Sequence, residues 1–133
     1  MRKIALVCVV FVLPLILAGC TASDGGQNAA EKPGKVLGSC NLVADTSTCV
    51  DYIGSYFKDY KNIALHCSDS RGTPSKDACP YPDFGGCRNG AGTDVENIIW
   101  AYATGGGEFD AETAGYFQKS CEAVGSLWTM PQY

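Results

Sequence analysis

The chain has 133 residues, of which 18% are charged and 8 are cysteine, and its formal net charge is −4. That balance gives no basic surface for nucleic acid or for anionic lipid. The longest apolar run, residues 4–18, falls short of the roughly 20 residues that a membrane-spanning helix needs.

Arg2 and Lys3 precede that run, and the small residues Ala18 and Gly19 close it. A positive head, an apolar middle and small residues before a cut are the layout of a secretory signal. The stretch Leu17-Ala18-Gly19-Cys20 resembles the lipobox of bacterial lipoproteins. The resemblance implies that residues 1–19 are removed and that Cys20, acylated on its sulfur, becomes the first residue. Two or more acyl chains anchor stably, at about 0.8 kcal/mol per buried CH₂, so the membrane is the expected partner through Cys20. In the same family an Asp after the cysteine retains the protein at the inner membrane. Here that residue is Thr21, which implies the outer membrane, or the outer cell face where the host has one membrane.

Residues 20–37 carry TASDGGQNAAEKPGKVL after the cysteine. This composition buries too little apolar surface to repay ordering. It reads as a tether spanning roughly 20–25 Å. Without Arg2 and Lys3, 8 basic residues face 14 acidic ones, a net charge of −6.

Residues 38–133 hold Cys40, Cys49, Cys67, Cys79, Cys87 and Cys121. Six cysteines in a small exported domain point to three disulfides. A zinc site needs close pairs and a redox site needs C-x-x-C, and the sequence has neither. Six cysteines allow 15 pairings, and spacing does not choose among them.

Along the domain, residues 48–53 (TCVDYI) read as a short strand. Tyr56, Phe57, Tyr60, Ile63, Ala64 and Cys67 recur at helical steps, which predicts an amphipathic helix over 55–67. SDSRGTP then breaks it. Residues 77–92, rich in Pro and Gly, predict an irregular loop with a short strand at 86–89. Residues 97–104 (NIIWAYAT) predict a central strand, ended by Gly105, Gly106 and Gly107. Asp110 is placed as the N-cap of a second helix, with Ala114, Phe117, Cys121 and Val124 on one face and Gly125 as its stop. Residues 126–130 predict a last strand. A faint echo links the two halves: an aromatic-bearing strand, then a helix ending in a core-facing cysteine, then a turn.

The expected fold is therefore α+β, a small disulfide-stapled domain with two helices on one face of a mainly antiparallel sheet, of split βαβ type. Cys49 with Tyr52, Cys79-Pro80, Gly85-Gly86-Cys87, Trp100 with Tyr102, Cys121 and Trp128 form a pattern similar to small cysteine-rich bacterial lipoproteins. That likeness carries no functional residue across.

Catalytic signals are sparse. His66 beside Cys67 suggests a Cys–His pair, but neighbouring helical residues diverge and Cys67 is expected in a bridge. Asp83-Phe84-Gly85 matches kinase letters without the other kinase motifs. Asp94 and Glu96 lie at one end of the central strand, Glu108 and Asp110 at the other, too far apart for one calcium or acid–base site; solvated loops and a helix cap account for them. No metal ligand set and no cofactor site is expected. Tyr52, Trp100, Tyr102 and Trp128 are the candidate binding face for a protein or glycan partner. The leading functional expectation is a non-enzymatic, membrane-anchored binding or structural module of the cell envelope. The alternatives are an inhibitor of a basic enzyme, such as a lysozyme or protease, and an envelope hydrolase.

Overall fold

A computed structural model describes residues 32–107 and 109–131. The expected signal, Cys20 and most of the expected tether lie outside the described residues. Among the described residues ten short elements form, six of them the strands of one antiparallel sheet in the spatial order β3-β1-β2-β5-β4-β6. In chain order, β1 (Gly38–Asn41) leads through the single-turn helix α1 (Val43–Thr46) to β2 (Thr48–Tyr52). A 3₁₀ turn (Ser55–Lys58), α2 (Tyr60–Asp69) and β3 (Thr73–Ser75) follow. Then come β4 (Gly86–Asn89), β5 (Asn97–Ala101), α3 (Ala111–Ala123) and β6 (Leu127–Thr129).

The α+β expectation holds, with more strands than the sequence suggests. The helix expected over 55–67 is two pieces. Asp59 takes extended φ/ψ and accepts from the Lys61 N–H as an N-cap, so α2 begins at Tyr60. The 3₁₀ turn before it keeps Phe57 in the core. The expected strand 97–104 ends at Ala101. The three glycines beyond it fold across α1. A Cβ on Gly105 would meet the Val43 carbonyl oxygen, and one on Gly106 the Asp45 carbonyl oxygen. Asp110 caps α3 as expected, accepting from the Thr113 N–H at 2.7 Å. Gly125 lies just past its end at φ +80°.

The two halves have the same plan, ββαβ, and meet across β2 and β5. One row of directly opposed residues crosses all six strands: Pro74, Cys40, Val50, Ile99, Cys87 and Trp128. Its left and right sides correspond about a local two-fold axis between Val50 and Ile99. Cys40 of β1 bridges to Cys67 near the end of α2, and Cys87 of β4 bridges to Cys121 near the end of α3. After each helical cysteine the chain turns with positive φ, at Arg71 and at Gly125. It then returns a backbone N–H to that cysteine's carbonyl, from Gly72 at 3.0 Å and from Ser126 at 3.1 Å. These are Schellman-type stops. Both helices therefore lie on the face that carries the row, α2 against β1 and β3, α3 against β4 and β6.

The third bridge, Cys49–Cys79, has no counterpart. It pins the loop between the halves to the other face. Two clusters result. Cys40, Tyr52, Phe57 and the α2 residues Ile63 and Cys67 pack between α2 and the sheet. Cys49, Ile98, Trp100 and Tyr102 pack beneath the loop. Cysteines are prominent in both, so the bridges stand in for aliphatic volume that a core this small lacks.

Candidate functional site

The four candidate aromatics do not share a face. In β2, Tyr52 points to the helix side; in β5, Trp100 points to the loop side, as alternation along paired strands requires. Tyr52, Trp100 and Tyr102 are buried, at 7, 9 and 5% exposure. Trp128 is half-buried on the helix side, edge-on to Phe117 at 5.6 Å. Gly85 and Gly86 lie between the two indoles. A Cβ on Gly85 would stand 2.6 Å from Trp128 Nε1, and one on Gly86 2.6 Å from Trp100 Cε3. The paired glycines let one strand pass a tryptophan on each face.

The helix side offers a cleft of about 340 Å³. Val50, Tyr52, Asn89 and Asn97 form its floor, on β2, β4 and β5. Tyr56 and Phe57 of the 3₁₀ turn and His66 of α2 form one wall, and the β4–β5 turn at Gly90 and Val95 forms the other. Three aromatic rings dominate this wall, with Ser70 at its end: His66 stands edge-on to Tyr56 and Phe57 at 5.8 and 5.7 Å, and Tyr56 is 43% exposed. The floor is amide. Asn89 and Asn97 are cross-strand partners, and Asn89 Nδ2 donates to Asn97 Oδ1 at 3.2 Å. The Ser126 hydroxyl holds Asn89 Oδ1 at 2.7 Å, which fixes which way the amide faces. Neither carboxylate nor lysine nor arginine lines this cleft. It presents aromatic edges and amide hydrogen-bonding groups.

The loop side is different. Asp51 is buried in the middle of β2. The Cys79 N–H donates to its Oδ1 at 2.7 Å, and the Trp100 Nε1–H to its Oδ2 at 2.8 Å. Burial pushes its carboxyl above the ordinary value of 3.8, and the two hydrogen bonds pull the other way without cancelling that. Tyr102 donates its hydroxyl to the Pro80 carbonyl at 2.6 Å. Burial raises its phenol, and the Asp51 and Asp83 charges raise it further. The acidic residues near the central strand also differ from expectation. Glu96 is not solvated. It is buried and paired with Arg88 at 2.7 Å, and its second oxygen accepts from the Gly92 N–H. Asp94 takes the Ser55 hydroxyl. Glu108 lies outside the described residues.

His66 is exposed on α2, and Cys67 is bridged to Cys40, so the adjacent pair is not a nucleophile and its base. Among the described residues no three His, Cys, Asp or Glu side chains gather as a metal site. Among them, too, no helix is long and apolar enough to cross a membrane. No protein-family model, curated protein or solved structure matches the chain.

Asp51, Asn89 and Asn97 are the site residues that sequence reasoning did not single out. One signal was present for Asp51: a carboxylate flanked by Val50 and Tyr52 inside a strand is out of place unless something holds it.

Proposed function

We propose that this chain is a lipid-anchored module of the bacterial cell envelope that binds a neutral ligand in the helix-side cleft and does so without catalysis. The anchor rests on the lipobox-like Leu17-Ala18-Gly19-Cys20 and on the tether composition that follows it. The binding reading rests on one observation above all, the uncharged floor and aromatic wall of the cleft around Asn89, Asn97 and Tyr56. Aromatic edges beside fixed amides suit sugar rings bearing hydroxyl and acetamido groups, which hydrogen-bond laterally and present apolar C–H faces. An envelope glycan is the ligand class we assign to it.

Two experiments test this. Intact mass of the protein taken from its host membrane is expected to show a chain beginning at Cys20 with acyl groups, and Cys20→Ala is expected to release it from the membrane. Titration with soluble N-acetylglucosamine oligomers is expected to move the side-chain amide resonances of Asn89 and Asn97, and Tyr56→Ala to weaken that response. An unlipidated mass refutes the anchor. Unmoved amides in the presence of saturating oligomer refute the glycan reading.

A further inference from the structure

On the loop side, two cavities of about 200 Å³ each share one wall. The shared residues are Asp51 and Trp100. The first cavity lies beside Pro33 and Val36 of the chain entering the domain, with Lys32 at its margin; the second lies under Pro80-Tyr81-Pro82. Asp51 is 5% exposed, and both donors that reach it are neutral. A carboxylate oxygen has more than one acceptor direction, so each oxygen retains capacity for another donor.

A charge removed from water without a counter-charge is costly. Among the described residues the one ion pair joins Arg88 to Glu96, two strands from β2 in the same sheet. That pairing neutralises Arg88. Lys32 forms no ion pair with Asp51. The strand position could be filled at lower cost by a small or apolar residue, yet the fold spends two hydrogen bonds and an indole on holding a carboxylate there. A carboxylate held at the edge of an indole offers an ammonium or guanidinium group a charge to meet and an apolar ring for its stem.

We propose that the cavities at Asp51 and Trp100 receive a lysine or arginine side chain projecting from a basic protein partner. The cationic head meets the Asp51 carboxylate, and its aliphatic stem lies along the Trp100 indole. The volume admits a side chain and no folded element. The net charge of −6 on the chain from Cys20 onward draws a basic partner to the surface, and the pocket selects the residue that anchors it. This is independent of the glycan cleft, which lies on the opposite face of the sheet.

The test uses the whole protein in detergent and follows its two indole N–H resonances. The probes are decalysine, the same peptide acetylated at every Nζ, and cadaverine. Decalysine is expected to shift the Trp100 resonance and leave Asn89 and Asn97 unmoved; the acetylated peptide is expected to do neither. Asp51→Asn is expected to weaken decalysine binding roughly tenfold or more. A Trp100 shift of equal size with acetylated peptide overturns the proposal, as does binding that leaves the Trp100 resonance in place. Those two titrations use the unsubstituted protein, so they decide the matter even where Asp51→Asn fails to fold. Cadaverine binding as tight, per amine, as decalysine overturns the assignment to a protein partner in favour of a free-amine site.

Discussion

Removing one disulfide at a time separates two accounts of what the bridges contribute. Cys87–Cys121 closes a ring with a sequence separation of 34 that shares no residue with the other two rings. Loop-closure entropy gives that bridge about 3.8 kcal/mol at 25 °C. Cys40–Cys67, with a separation of 27, and Cys49–Cys79, with a separation of 30, interleave. With Cys49–Cys79 already closed, Cys40 and Cys67 are joined in the unfolded chain by an effective path of only about 16 residues, treating the arcs of the ring as parallel flexible chains. The entropy then falls to about 3.1 kcal/mol. C87A/C121A is therefore expected to cost more than C40A/C67A. Packing predicts the opposite order, because Cys40 and Cys67 are 1 and 0% exposed while Cys87 and Cys121 are 4 and 3% exposed. Urea unfolding at 25 °C followed by tryptophan fluorescence measures both. A total stability in the usual range of roughly 5–15 kcal/mol leaves each variant measurable. If C40A/C67A proves the costlier by 1 kcal/mol or more, the chain-entropy reasoning is refuted.

Three further outcomes follow from the described packing. Ile63, on the inner face of α2 with no exposed surface, is expected to cost about 2–5 kcal/mol when cut to alanine, read from the same urea curves. Arg88→Met leaves Glu96 buried without its cation and is expected to cost about 3–5 kcal/mol, whereas the double change to two apolar residues recovers most of that; a double-mutant cycle with no coupling would contradict the pairing. In pH profiles, Asp51 and Asp110 run in opposite senses. The Asp51 carboxyl is raised by burial in the folded state. The folded protein then holds that proton more tightly, so its contribution to stability is lost as pH rises from 3.8 through the folded value. Asp110 is lowered by the Thr113 N–H and hydroxyl, so its contribution is present above 3.8 and is lost as pH falls through the folded value. The difference between wild type and Asp51→Asn in urea midpoint, taken against pH, should slope downward above 3.8, and the difference for Asp110→Asn upward below it.

The elements with strong local signals were legible in the sequence. β2 and β5 carry the β-branched and aromatic residues of paired strands, and α3 announces itself by its Asp110 cap and its period. Helical spacing overextends the first helix, because Tyr56 and Phe57 fall in step with Tyr60 and Ile63 and spacing does not register the extended backbone of Asp59. β1 and β3 were not legible. Gly-Ser-Cys-Asn has no apolar alternation, and Thr-Pro-Ser suits a strand only at a sheet edge, where Pro74 need donate nothing. The bridges were legible as a set and not as pairs, since their spacing says nothing of which strand lies under which helix. The candidate binding face failed to gather for a related reason. Aromatic type is visible in a sequence, but which face of a sheet each ring meets depends on register. The partners of Asp51 come from 28 and 49 residues away, beyond any local pattern.

The correspondence between the halves bears on how such a sheet is assembled. Val50 opposite Ile99 is the contact that an isologous dimer of two ββαβ chains would make on its axis. Each half alone would present β2 or β5 as an open edge, a row of unpaired N–H and C=O groups ready to bond a second copy. The loop held by Cys49–Cys79 makes that dimerisation intramolecular. It converts a step that depends on protein concentration into one set by a short connection, and it removes both exposed edges at once. The sheet is then complete within one chain, and its central strands need no second copy to pair with.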